Sequence, residues 1–112
     1  MIIKPALSIA RMHQLVMDNK VSSLTLIDEA YNRLHQQETT LQAFREIGEA
    51  PDLAPQGLLA GECVSVKDLY AVTGFATYAG SPFPLQEFNV SGTLVKRLTD
   101  AGAHVCGKTH TV

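Results

Sequence analysis

The sequence is short of most features that place a chain quickly. It has little net charge, −2 over 112 residues, and no cluster of basic side chains, so nothing in it selects nucleic acid or an acidic substrate. It holds two cysteines, Cys63 and Cys106, without metal-ligand spacing. Free buried thiols are the expectation, because cysteine packs as a small hydrophobe. No metal or organic cofactor is expected. No apolar run is long enough to span a bilayer, and the N-terminus lacks the continuous apolar stretch of a secretory signal. The expectation is a soluble, cytoplasmic protein without a membrane partner. His13 and His35 sit at the margins of helical stripes and read as structural. Glu46, Glu49 and Asp52 are not arranged as a pair for acid–base work.

What is present is an ordinary globular composition, 46% apolar and 18% charged, enough to bury a core in one small domain. From Ser8 to Met17 apolar residues recur at Ile9, Met12, Leu15 and Val16, which is helical spacing with Ser8 as cap. A second helix is expected from about Ser23 to Gln37, capped by Ser22 or Ser23, with Leu26, Ile27, Ala30, Tyr31 and Leu34 as its buried stripe. The two helices are expected to form an antiparallel pair over residues 1–44. Residues 45–56 lose periodicity around Gly48, Pro51 and Pro55 and read as a loop.

The last part, 57–112, reads as strand, loop, helix and strand. The first strand runs from Gly61 to Lys67, with Val64 and Val66 on one face and Cys63, Ser65 and Lys67 on the other, carried inward. A third helix follows Ser91 as N-cap, turns Leu94, Val95, Leu98 and Ala101 inward and ends at Gly102. His104-Val105-Cys106 makes the next strand. This order predicts an α/β arrangement with parallel pairing and a right-handed crossover. A few short strands with helices on one side leave a face and an edge uncovered, which points to a piece of something larger.

Two lysines carry candidate chemistry. The run Gly102 to Thr109 fits the phosphate-loop pattern G-x-x-x-x-G-K-[ST] letter for letter. That loop requires a strand before the first glycine and a helix after the lysine. Here a helix precedes and a strand intervenes, so the motif is set aside. Lys67 is the stronger candidate. Its plain reading is a solvated strand-end lysine or a partner of Asp68. Its chemical reading is a general base. A free lysine titrates near ~10.4, and full burial can lower that by roughly 3–5 pH units. A neutral amine could then draw a proton from a hydroxyl nucleophile.

Three blocks bear on the choice: GLLAGECVSVKD at 57–68, TYAGS at 77–81 and RLTDAGAHVCGKT at 97–109. In order and spacing they resemble the amidase signature family, whose blocks read G-P-L-x-G-I-P-x-x-x-K-D, T-T-x-G-S and R-L-x-x-A-G-A-x-x-x-G-K-T. The A-type chains of the glutamyl-tRNA amidotransferases are among its members. The resemblance covers nearly the whole chain but only the first part of a family member. It implies a larger mixed-sheet α/β fold with a serine–cis-serine–lysine triad that forms an acyl-enzyme from a small-molecule amide or ester. On this mapping Lys67 is the triad's proton acceptor, and Asp68, Gly80 and Ser81 are structural support. Both catalytic serines lie downstream in the family, so the 112-residue chain is expected to be inactive by itself. Leu58 stands for the usual proline, Glu62-Cys63 for isoleucine–proline, and Ser91 for an aspartate cap. Tyr78 occupies a variable position. Two partners are left open, a homo-oligomer or the remainder of an amidase chain. The alternative function is a short non-catalytic paralogue acting as a binding or assembly partner.

Overall fold

The structure, a computed structural model, describes residues 8–111. It opens with α1 (Ile9–Met17), begun by the Ser8 hydroxyl, which accepts from the Arg11 amide at 3.1 Å. The helix stops where Asn19 takes a left-handed conformation, φ 55°, which asparagine tolerates better than most residues. α2 (Ser23–Leu41) begins at Ser22, whose hydroxyl accepts from the Thr25 amide. It runs four residues beyond the expected Gln37. Its end is fixed by Gln42 in the left-handed region and by the Glu38 carboxylate, which folds over to accept from the Ala43 and Phe44 amides. α1 buries none of its residues. Of its expected stripe, Met12, Leu15 and Val16 are half-buried and Ile9 is exposed.

Three strands follow: β1 (Phe44–Ile47), β2 (Cys63–Lys67) and β3 (His104–Thr109), in the spatial order β1-β3-β2. β2 and β3 are parallel, as the sequence order predicts, and β1 joins β3 antiparallel. β1 falls partly in the stretch expected to be loop. It has four residues, two of them the charged Arg45 and Glu46, so it lacks any alternation to read. Pairing with β3 makes it a strand. The central strand is the buried one, with Val105, Cys106, Gly107 and Lys108 all enclosed. Gly107 is required there: a Cβ would stand 2.5 Å from the Glu46 carbonyl oxygen and 2.7 Å from the Phe44 ring.

Between β2 and β3 the chain passes through α3 (Thr93–Asp100). Its N-cap is Gly92 rather than Ser91. The Ser91 hydroxyl instead accepts from the Thr73 amide while the Ser91 amide donates to the Thr73 hydroxyl. That reciprocal pair anchors the long loop to the helix start. Gly102, at φ 100°, ends the helix turn as expected.

Apolar contacts divide between the two faces of the sheet. Val66, Val72, Val95 and Val105 form one buried cluster, which places α3 on that face. Ile27, Tyr31 and Cys106 form the other, with Cys63, Phe44 and Ile47 packed on it, which places α2 opposite. Helices thus cover both faces, not one as the sequence suggested. Val105 and Cys106 are adjacent on β3 and point to opposite faces, the ordinary consequence of the strand pleat. No helix among the described residues is long and apolar enough to cross a membrane.

Candidate active site

Lys67 is the last residue of β2, paired with Thr109 at the end of β3. Both strands of this parallel pair therefore finish together, and ligands in open α/β sheets bind outside such carboxyl ends. The strand alternation is as expected, but the burial is not. Cys63 packs under α2, whereas Ser65 and Lys67, farther along the same face, are exposed. The cover supplied by α2 ends at Cys63. Lys67 makes no ion pair and no side-chain hydrogen bond among the described residues. The expected secluded amine is therefore not formed by this segment alone.

The secluded lysine is Lys108. Its side chain is 0% exposed, and its Nζ lies 3.0 Å from Oδ1 of Asp68, itself 1% exposed. The same amine stands 3.3 Å from the Thr77 hydroxyl and 3.4 Å from the Ala76 carbonyl oxygen. Asp68 also accepts from the amides of Tyr78 and Ala79 at 3.1 to 3.2 Å. Two buried opposite charges are tolerated when each finds its counterpart and the remaining hydrogen-bonding positions are filled. That condition is met here. Asp68 is thus the partner of Lys108 and not of its neighbour Lys67.

This network organises the turn that follows. Ala79 and Gly80 both take positive φ, 50° and 82°. A left-handed alanine is strained, and such strain persists only where the surroundings impose it. The Asp68 carboxylate, seated on two successive amides, imposes it. The Ser81 amide donates to the Tyr78 carbonyl, and the Ser81 hydroxyl accepts from the Phe83 amide. Gly80 and Ser81 thus close the turn, Gly80 being exposed. The Thr77 hydroxyl donates to the Phe88 carbonyl at 2.7 Å, and the Arg45 guanidinium lies 3.9 Å from the centroid of the Tyr78 ring.

Lys108 also disposes of the phosphate-loop match. Residues 104–109 are strand, and the lysine amine points into protein, where it is neutralised by Asp68. Sequence reasoning set that match aside correctly but assigned Lys108 no role. The available signal was the pairing of a K-D block with a G-K-T block, which is readable only once β2 and β3 are known to be neighbours.

A second polar group lies at the other end of the same strands. Tyr31 and His104 are 2.7 Å apart, hydroxyl to Nε2. Burial pushes the Tyr31 hydroxyl well above its usual range and the His104 imidazole below its own. The Cys63 thiol is pushed up to about 12, chiefly by burial, and Cys106 is raised for the same reason. Both cysteines are free thiols, as expected, with Cys106 buried and Cys63 half-buried. No group of three or more potential metal ligands gathers among the described residues. A hollow of about 580 Å³ beside α3 is lined by Val72, Phe75, Lys96 and His104, and Lys67 takes no part in it.

A parallel strand pair joined through a helix, helices on both faces, and charged groups gathered at the strands' carboxyl ends define a segment of an α/β domain. The family model described as Amidase matches residues 20–112, and the chain belongs to the amidase family. It is 32% identical to an amidase of Pseudomonas putida over 94% of its length and 25% of the relative's. It is 30% identical to the A-type chain of the glutamyl-tRNA(Gln) amidotransferase of Trichodesmium erythraeum over 92% of its length and 24% of the relative's. Among solved structures, the native peptide amidase of Stenotrophomonas maltophilia superposes with a TM-score of 0.77 at 30% identity, covering 91% of this chain and 24% of that one. The chain thus spans about a quarter of the length of the curated relatives it matches.

Proposed function

We propose that this chain carries the proton acceptor of an amide-hydrolysing centre, with Lys67 in that role. The observation that carries the reading is the position of Lys67: an amine unpaired among the described residues, at the carboxyl end of β2 and followed in the chain by a carboxylate already engaged by another lysine. Its membership of the amidase family and the three sequence blocks in order support the same reading.

In the reaction a serine hydroxyl attacks the carbonyl carbon of a small carboxamide. Its proton passes through a second serine, held in a cis peptide, to the Nζ of Lys67. The resulting ammonium returns that proton to the departing nitrogen as the tetrahedral adduct collapses to an acyl-enzyme. Water then enters by the same proton route in reverse and releases the carboxylic acid. Lys67 must be neutral at the first step, so the hydroxyl-bearing segment must also shield it from water. Neither serine maps to a position in this chain. Gly80 and Ser81 shape the 78–81 turn, and Asp68, next to Lys67 in the chain, holds that turn.

The test compares amide turnover by the 112-residue chain alone with turnover after the chain replaces the first quarter of the Pseudomonas putida amidase. The reading expects no turnover from the chain alone and amide hydrolysis from the joined protein. Turnover by the isolated chain that survives removal of Lys67 contradicts it.

A further inference from the structure

The Asp68–Lys108 pair raises a question that stability does not answer. A fully buried ion pair is, on average, no more stabilising than apolar side chains of the same volume. Its retention at one point in a small core is therefore explained by geometry. Asp68 immediately follows Lys67, and its amide donates to the Thr109 carbonyl at 2.9 Å, extending the β2–β3 ladder by one residue. Its carboxylate reaches across to the amides of Tyr78 and Ala79. Lys108, from the neighbouring strand, holds Oδ1 at 3.0 Å and reaches the Thr77 hydroxyl and Ala76 carbonyl behind it. Three segments meet at one carboxylate: the end of β2, the end of β3, and the turn that carries Ala79 in a strained left-handed conformation.

We infer that Asp68 and Lys108 are positioning residues for the Lys67 centre: the carboxylate is the acceptor that holds the Tyr78–Ser81 turn over the strand ends, and Lys108 aims and neutralises it. The assignment rests on the reading of Lys67 given above. Two successive backbone amides converging on one anion form a small anion-binding nest. Here the chain's own carboxylate fills the nest, so the turn binds no external anion. Its service is to fix the turn to the residue that directly follows Lys67. Lys108 keeps the buried carboxylate, one residue along the chain from the amine whose proton must move, from acting as an uncompensated charge.

The essential property is the acceptor on the two amides, more than the charge. Two paired replacements separate the possibilities. Asp68→Asn with Lys108→Met removes both charges and keeps a side-chain oxygen for the amides. Asp68→Leu with Lys108→Met removes the charges and the acceptor together. In the full chain, hydrogen exchange at the Tyr78 and Ala79 amides reads the turn directly. It is expected to be slow in the native chain and the amide-retaining pair, and fast in the leucine pair. In the chain joined to the remaining three quarters of the Pseudomonas putida amidase, the leucine pair is expected to lower kcat on the order of 10²-fold with KM within about threefold, since small misplacements of a reacting group carry losses of that size. The amide-retaining pair is expected to recover about tenfold of that loss.

Equal kcat for the two pairs, or fast exchange at Tyr78 and Ala79 in the native chain, overturns the assignment. The exchange measurement on the native chain decides the matter even if the leucine pair does not fold. Lys67→Met is the separate control: full activity in that variant removes the reading of Lys67, while the exchange data still judge the turn.

Discussion

The hydroxyl of Tyr31 lies 2.7 Å from Nε2 of His104, tying the middle of α2 to the first residue of β3. Burial disfavours the charged form of both groups, and the imidazole tautomer sets which of the two donates. Burial moves His104 below its ordinary 6.5 and so favours the neutral ring.

A pH dependence follows from that pair. The folded chain holds His104 neutral more firmly than the unfolded chain does. Its contribution to stability is therefore complete above the unfolded value and is lost as the pH falls through about 6.5 towards the lower folded value. Urea midpoints are expected to decline between pH 7 and pH 5, and His104→Gln is expected to flatten that decline. An identical slope in the variant contradicts the assignment.

Gly107 gives a steric prediction independent of charge. The strand reads as a buried run, and nothing in its letters distinguishes a glycine used for space from one used for flexibility. The structure shows the former, with the Glu46 carbonyl and the Phe44 ring occupying the space of a Cβ. Gly107→Ala is expected to part β1 from β3 at a loss of about 2 kcal/mol or more, seen as a lowered urea midpoint and faster exchange at Gly48, whose amide donates to Cys106. An unchanged midpoint contradicts it.

Glu62 stands where the resembling family usually has isoleucine, and one of its carboxylate oxygens is buried without a partner. Burial raises its pKa above 4.5. Ionised Glu62 thus opposes folding at neutral pH, and the opposition fades as the pH falls through the raised value. Glu62→Gln, which removes the charge and keeps the shape, is expected to raise the urea midpoint at pH 7 and to change it much less near pH 4. A loss of stability at pH 7 contradicts this.

Much of this architecture was legible in the letters, because the relevant signals are local. Ser8 and Ser22 cap where their side chains can reach the next turn, and Leu26, Ile27 and Tyr31 repeat at helical spacing. Val64 and Val66 alternate as a strand must, and the strand–helix–strand order fixed the parallel pairing of β2 with β3. What escaped depends on neighbours distant in sequence. β1 exists because β3 accepts it, and Ser91 leaves the cap position because Thr73, 18 residues earlier, takes both of its hydrogen bonds. In the same way the seclusion expected at Lys67 is found at Lys108 instead. Strand-face alternation places Lys67 on the α2 side, but only the length of α2's contact decides whether that side is covered.

The central claim concerns the amine of Lys67, and it is tested most directly by kcat/KM for amide hydrolysis after Lys67→Met in the joined enzyme. Loss of a group that moves the nucleophile's proton is expected to lower the rate on the order of 10³- to 10⁴-fold, with the folded state intact by urea denaturation. A Lys67→Met enzyme that folds and retains more than about a tenth of the activity contradicts the account.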